Sequence, residues 1–200
     1  MRTVTVRVPP PNVNEIRRYA ACPTGADAPL SECLSEVSGL TYRAAYTEFE
    51  IHRDGDVLDL GFAQTDSVSL RKALDGCDRI LLFAATVGPY PDRMTAKYGR
   101  VSPVKALFWQ AIGAERVEAL CDTFCRERKA EYGKFGLSLR PRFSPGYGDL
   151  PLSLQKDIFA VLDCPRRLGV TLNDSLLMIP TKSVTAVAGI SVREPDTLNN

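Results

Sequence analysis

The chain has 200 residues, of which 44% are hydrophobic and 24% are charged. These values are typical of one compact domain, or at most two small ones, with a sizeable core. The 25 basic and 24 acidic residues give a net charge of +1, which disfavours a general nucleic-acid binder. A single histidine, His52, disfavours histidine-rich metal sites and Ser-His or Cys-His catalysis.

Apolar segments and cysteines point to a cytoplasmic protein. The longest apolar run, residues 80–87, is far shorter than the ~20 residues of a membrane span. The first residues alternate between polar and apolar types, so no secretory signal is expected. The six cysteines are therefore predicted to be reduced thiols. Cys121 and Cys125 share the apolar face of a helix and are predicted to be buried structural thiols rather than metal ligands.

The N-terminal third predicts one strand and two short helices. Residues 3–8 alternate with period two, which indicates a half-buried strand. Asn12 can cap a following helix, with Glu15 at the capping-box position and Val13 facing the core. A second short helix is predicted over residues 29–37.

A hairpin and a buried strand are predicted next. Segments 42–51 and 57–60 flank Asp54-Gly55, the strongest hairpin signal of the chain. The nearly continuous apolar run over residues 79–85 predicts a central strand that is buried on both faces.

The longest helix is predicted over residues 102–131, with Pro103 at its first helical position. The remaining predicted elements are helices over 67–74 and 153–162, strands over 169–172, 176–179 and 183–190, and a proline- and glycine-rich loop over 140–151. This irregular alternation favours an α+β fold with a mixed or antiparallel sheet.

Residues 126–142, which we call the basic segment, carry six basic side chains against two acidic ones. One interpretation is a solvated helix end, because cations suit a helix C-terminus. The other is a docking face for an anionic ligand or an acidic partner protein.

The loop that follows is the most informative stretch. Arg142 offers a planar fork suited to a carboxylate. Gly146 and Gly148 leave the backbone open to close approach, and Tyr147 offers a flat face with a polar tip. The loop is either a ligand site or a tight surface connection. Hydroxyl side chains over residues 180–186 can line a pocket or pair with neighbouring strands.

Two motifs of the chain resemble a known family. The sequence RFSPGY at residues 142–147 resembles the R-P-A-P-G-Y motif of the activation (reactivation) domain of cobalamin-dependent methionine synthase. The segments LGVTL, MIP and SVTA, at residues 168–172, 178–180 and 183–186, are similar to that domain's I-G-x-x-L-T-E-S-x-x-M-x-P-x-x-S-V-S-G run. The central run DRILLFAATVG fits the short stand-alone form of the domain.

The resemblance implies a fold and a set of ligand-binding residues. The fold is an α+β unit with a bent, mainly antiparallel sheet and flanking helices, over residues 1–192, followed by a frayed polar tail at 193–200. The family's domain binds S-adenosylmethionine and closes over the cobalamin domain when cob(II)alamin is reduced and remethylated. By resemblance, the cofactor-binding residues are Arg142, Ser144, Gly146, Tyr147, Ser183 and Thr185. No catalytic and no metal-binding residue is implied in this chain.

Within that set, Arg142 would bind the methionine carboxylate and Ser144 would present backbone to the adenosine. Gly146 and Tyr147 would shape the loop near the corrin. The implied function is that of a reactivation partner of methionine synthase that acts in trans. Its enzymatic role would be part of that methyltransferase activity. Its partners would be a corrinoid-binding methyltransferase, which carries the cobalamin, and a flavodoxin-like reductant.

An alternative remains open. The chain has Leu152 and Ser153 where the full-length domain has an acid and a histidine, and it continues only briefly after Ala186. Both departures favour a non-catalytic corrinoid-protein-binding module, or a chaperone for another cobalamin-dependent methyltransferase. An independent small-molecule enzyme has little support, because the sequence shows no acid-base pair or metal set.

Overall fold

The structure is a computed structural model that describes residues 1–22 and 24–192. Its centre is a five-stranded sheet in the order β1-β2-β6-β10-β7, and every neighbouring pair is antiparallel. The five strands are β1 (Arg2–Thr5), β2 (Arg43–Glu50), β6 (Arg79–Thr86), β7 (Leu137–Phe143) and β10 (Ser183–Val192). The predicted α+β fold with an antiparallel sheet is confirmed. The predicted tail at 193–200 lies outside the described residues.

The remaining strands form two small antiparallel sheets. These are β3 (His52–Asp54), β4 (Val57–Asp59) and β5 (Gln64–Thr65) in one sheet, and β8 (Thr171–Leu172) and β9 (Met178–Ile179) in the other. The helices are α1 (Val13–Tyr19), α2 (Asp27–Ser35), α3 (Val68–Ala73), α4 (Tyr90–Gly99), α5 (Pro103–Gly133), α6 (Gln155–Leu162) and α7 (Cys164–Leu168). Short 3₁₀ turns occupy Val37–Gly39 and Leu152–Leu154.

Strand β6 is buried on both faces, as its apolar run predicts. Leu81 and Phe83 point into a core that α5 closes, together with α1, α2 and α4. Ile80 and Leu82 point into a second core, which α6 and α7 close. The sheet therefore forms the middle of three layers. Such burial is typical of a strand whose sequence shows no polar alternation.

Helix α5 begins at the predicted proline and ends at Gly133, two residues beyond the predicted end. Its apolar stripe faces the first core, where Trp109, Phe124 and Cys121 are fully buried. No helix in the described ranges is long and apolar enough to cross a membrane.

Two strand predictions are corrected by the pairing. The turn at Asp54-Gly55 does close a hairpin, but β3 and β4 form it, with Asp54 opposite Val57. Segment 42–51 instead becomes β2, which pairs with β1 and β6. The predicted loop over 140–151 is also wrong at its start, because Arg140, Pro141 and Arg142 belong to the edge strand β7. An edge strand tolerates proline, since one side of its backbone needs no ladder partner.

The start of α1 differs from the predicted capping box. Asn12 caps the helix, because its side chain accepts bonds from the amides of Asn14 and Glu15. The backbone N–H of Asn12, however, donates to Glu115 Oε1 at 3.2 Å rather than to Glu15. Val13, which was predicted to face the core, is 40% exposed.

A buried ion pair on α5 fixes this N-terminal segment. Arg116 is 1% exposed and donates from Nε to Glu115 Oε2 at 2.5 Å, and from a terminal nitrogen to Glu115 Oε1 at 2.6 Å. The same guanidinium donates to the carbonyl oxygens of Pro9 and Pro10. The chain between β1 and α1 is therefore tied to the middle of α5 by charge-assisted hydrogen bonds.

We expect Glu115→Ala to lower the free energy of unfolding by about 3 kcal/mol, because it leaves the buried Arg116 guanidinium without a counter-charge. Chemical denaturation monitored by circular dichroism measures the loss. The control is Glu15→Ala, which removes an exposed pair with Arg18 and should cost less than about 1 kcal/mol. Equal losses in the two variants would contradict the special role of the buried pair.

Candidate functional site

The loop over residues 144–151 leaves the end of β7 as a compact, internally bonded turn. The amide of Tyr147 donates to the Ser144 carbonyl at 3.2 Å, and that of Gly146 donates to the Leu150 carbonyl at 2.9 Å. Gly146 has φ +86, a conformation that L side chains rarely adopt. The loop sequence is thus matched to one specific backbone shape.

Gly148 is required for a different reason. Its φ is +58, and a Cβ at this position would lie 2.9 Å from Ser69 Oγ. The close approach that the sequence predicted at this glycine is therefore made by α3 of the same chain. Gly148 lets the loop sit directly against the start of that helix.

Asp149 locks this contact. Its carboxylate accepts bonds from Ser67 Oγ at 2.5 Å, from the Val68 amide at 2.8 Å and from the Ser69 amide at 3.1 Å. The hydroxyl of Ser67 and these backbone N–H groups hold the pKa of the Asp149 carboxyl well below its ordinary value. The ligand-loop candidate is consequently anchored to α3.

We expect Asp149→Ala to lower Tm at pH 7, because the first-turn amides of α3 lose their acceptor. The pKa of Asp149 is lower in the folded state, so its stabilisation is present at neutral pH and is lost as pH falls below the ordinary carboxyl range. The Tm difference from the unaltered protein should hold from neutral pH to about pH 5 and shrink below about pH 4.

Asp66→Ala is the matched control, since Asp66 is an exposed acid next to the same helix. Its Tm should stay close to that of the unaltered protein at every pH. A Tm difference for Asp149→Ala that did not change with pH would refute the anchoring role of the ionised carboxylate.

Arg142 lies on β7 beside α5, and two acids hold its guanidinium. One terminal nitrogen donates to Asp122 Oδ1 and the other to Glu118 Oε2, each at 2.5 Å. Burial alone would lower the pKa of this guanidinium, but the hydrogen bond to Asp122 and the surrounding charges, including Glu118, raise it. These two bonds use two of the five N–H donors of the arginine.

Arg142 and its two acids border different hollows along α5. Arg142 helps to line a hollow of about 550 Å³ between α5 and β7. Glu118 and Asp122 line a second hollow of about 500 Å³ on the side of the N-terminal segment, and Arg126 borders both. Opposite charges therefore face neighbouring spaces along one helix.

Tyr147 presents its ring outward at the tip of the loop. It is 69% exposed, and its ring meets Phe143 edge-on with centroids 5.3 Å apart. Ser144 is half-buried between β7 and the turn. Arg142, Ser144, Gly146 and Tyr147 lie on one continuous segment, but they do not all share a face of the sheet. Tyr147 packs on Phe143, which pairs with Val187 of the second core, whereas Arg142 pairs with Ala188 of the first core.

Ser183 and Thr185 lie on the face of the sheet opposite Arg142. Thr185 pairs with Ala84, a residue of the second core, whereas Arg142 pairs with Ala188, a residue of the first core. Directly paired residues share a face of a sheet, so the two sets leave opposite faces. Thr185 is 2% exposed, and Ser183 Oγ lies 2.8 Å from both Thr86 Oγ1 and the Pro180 carbonyl oxygen. Both hydroxyl residues occupy the interior of the fold.

Sequence reasoning missed the acids that complete the site. Glu118 and Asp122 are four residues apart on a predicted helix, so their shared face could have been recognised. Their pairing with Arg142, 20 and 24 residues away, could not be read from local pattern. The same holds for Asp149, which lies 82 residues from Ser67.

Comparisons with known proteins place the fold. No protein-family model and no curated protein sequence matches the chain. Among solved structures, it is similar to the crystal structure of the MetH reactivation domain bound to AdoHcy, with a TM-score of 0.61 and 18% sequence identity. The similarity covers 86% of this chain and 65% of that one, so the chain spans slightly less than two thirds of the neighbour's length. The chain thus has the α+β fold of a reactivation domain, as its motifs predicted.

Proposed function

We propose that this protein is a stand-alone reactivation partner of a cobalamin-dependent methionine synthase. In this role it binds S-adenosylmethionine, caps the corrinoid domain of the partner and supports the reductive remethylation of cob(II)alamin. It works in the cytoplasm, where a flavodoxin-like protein supplies the electron. Its contribution is part of the partner's methyltransferase activity.

One observation carries this proposal. The segment that resembles the R-P-A-P-G-Y motif lies at the end of β7 in a fold similar to a reactivation domain whose crystal structure contains AdoHcy. In this segment, Arg142 borders an open hollow, and Tyr147, five residues later in the sequence, is 69% exposed. The motif and the similarity of the fold together support the proposal.

The charges around Arg142 suit the amino-acid end of the methyl donor. In this proposal the guanidinium of Arg142 binds the carboxylate, and Glu118 and Asp122, which are paired with it, attract the ammonium group. The backbone around Ser144 meets the adenosine, and Tyr147 packs at the corrin side. Fixing the charged end orients the sulfonium methyl group, which is a positioning task. Cobalamin, carried by the partner, supplies the methyl-transfer chemistry when bound.

A second candidate is a corrinoid-protein-binding module that needs no methyl donor. The observation that favours it is the state of Arg142, whose guanidinium is already balanced by two carboxylates. A ligand carboxylate must then approach a site that holds two negative charges for one positive charge. The presence of Leu152 and Ser153, where the full-length domain has an acid and a histidine, also favours this second candidate.

Calorimetric titration with S-adenosylmethionine separates the two candidates. We expect binding, with affinity reduced about tenfold or more in Arg142→Ala, because charge-assisted hydrogen bonds to the carboxylate are lost. Arg142→Lys should fall in between, since it keeps the charge and loses the fork. Glu118→Gln combined with Asp122→Asn should also weaken binding if these acids hold the ammonium group.

Arg166→Ala, which removes an exposed arginine paired with Asp163 on the other side of the sheet, is the control and should leave the affinity unchanged. Tighter binding by the Glu118→Gln/Asp122→Asn variant would show that the acids compete with the ligand. Absence of binding, both alone and with a corrinoid methyltransferase present, would reject the methyl-donor role and support the second candidate.

A further inference from the structure

The structure divides the basic segment, residues 126–142, into two sets of side chains. Arg128 is paired with Glu131, and Arg142 is paired with two acids of α5. The other four basic residues line a single groove between the end of α5 and β7, which we call the basic groove. They are Arg126, Lys129, Lys134 and Arg140.

The basic groove has one sign of charge. Its volume is about 820 Å³, and the part of its wall formed by described residues contains no acidic side chain. The whole chain has a net charge of only +1, so the rest of the molecule is net negative. The groove is therefore a local positive site on a molecule whose remaining charges nearly balance, with a slight excess of acids.

The groove is elongated. From Arg126 to Lys134, α5 advances by about 12 Å, a distance that roughly four residues of extended chain would cover. The neighbouring hollow of about 550 Å³ shares Arg126 and Arg140 and continues along β7 as far as Arg142. The cations thus follow a line rather than surrounding a point.

This shape does not suit a small anion. All four cations are exposed, and an exposed ion pair contributes little because water screens it. A single phosphate group could engage only a part of a line of charges spread over about 12 Å. Useful affinity requires a ligand that meets all four cations at once.

Pairing of a partner strand with β7 is also disfavoured. β7 is an edge strand, but Pro141 lacks a backbone donor, and the pairing with β10 is irregular beside it, at Gly189. Prolines, bulges and basic side chains are the features that protect sheet edges from added strands. Recognition in the groove must therefore rest on side-chain charge.

A long polyanion is a poor fit as well. Beyond about one Debye length, ~8 Å at physiological salt, nucleic acid or an anionic membrane would meet the net-negative remainder of the surface. A short ligand contacts only the groove. The length of the groove, its positive charge and its openness together favour a short, extended and acidic chain.

We propose that the basic groove binds a short acidic segment of a partner protein. This inference deepens the proposed partner role, since the groove leads to Arg142 and a segment seated in it would place the partner beside the 144–151 loop. It does not require methyl-donor binding, so the two proposals can fail separately.

The test is the anisotropy of a labelled peptide of about six alternating glutamate and serine residues, titrated with the full chain at low and physiological salt. The groove variant replaces four cations: Arg126→Gln, Lys129→Gln, Lys134→Gln and Arg140→Gln. The control removes four exposed cations elsewhere: Arg7→Gln, Lys72→Gln, Arg100→Gln and Lys156→Gln. The two variants have the same net charge.

We expect the groove variant to bind the acidic peptide about tenfold more weakly or worse, and the control within about twofold of the unaltered protein. Added salt should weaken peptide binding by the unaltered protein more than peptide binding by the groove variant. A lysine-serine peptide should not bind. The single variant Lys134→Gln changes the one groove cation that does not border the hollow at Arg142. It should weaken peptide binding and still bind S-adenosylmethionine as the unaltered protein does, which separates this proposal from the donor site.

Three outcomes would overturn the inference. Equal weakening in both variants would show that net charge alone attracts the peptide. Full competition by inorganic pyrophosphate would assign the groove to a small anion. Tighter, groove-dependent binding of a single-stranded oligonucleotide would assign it to nucleic acid.

Discussion

Burial of strand β6 on both faces is the constraint on which the rest of the structure depends. Its residues from Ile80 to Ala85 are at most 4% exposed, because α5 covers one face of the sheet while α6 and α7 cover the other. With both faces of β6 covered, a ligand can reach the sheet at its strand ends and at its two edge strands, β1 and β7. The 144–151 loop lies at such an end, and the basic groove lies along such an edge.

Helix α5 organises both candidate surfaces. Near its middle, Glu118 and Asp122 hold Arg142, and two turns later the side chains facing β7 become basic. Lys134 is the C-cap residue of this helix, a position at which a cation complements the helix dipole. One long helix thereby sets the ion pairs of Arg142 next to the basic groove.

Local pattern was sufficient wherever the deciding interaction is local. The apolar run of β6 predicts a buried strand and the apolar stripe of α5 predicts a long helix, and the structure confirms both. Segment 42–51 was assigned to the wrong partner, because hairpin signals describe the turn and not which strands complete a sheet. β7 was missed because Pro141, flanked by glycine-rich sequence, is typical of a loop; only its place at the sheet edge makes a strand possible.

The site was predictable in part. RFSPGY marked the segment on which Arg142, Gly146 and Tyr147 lie, because a motif is continuous in sequence. The acids around Arg142 and the bond from Ser67 to Asp149 depend on how distant segments are packed. Ser183 and Thr185 follow Pro180 closely in the sequence, but strand alternation turns their side chains away from Arg142.

The anchoring of the loop by Asp149 has a consequence for the order of folding. Asp149 is about 80 residues from the α3 groups it binds, so the loop cannot take its final shape until α3 and the end of β7 have packed together. Contacts of such long sequence separation form late, since chain closure must precede them. The candidate ligand loop is thus a property of the completed fold, and any molecule that binds it draws the population toward fully folded chains.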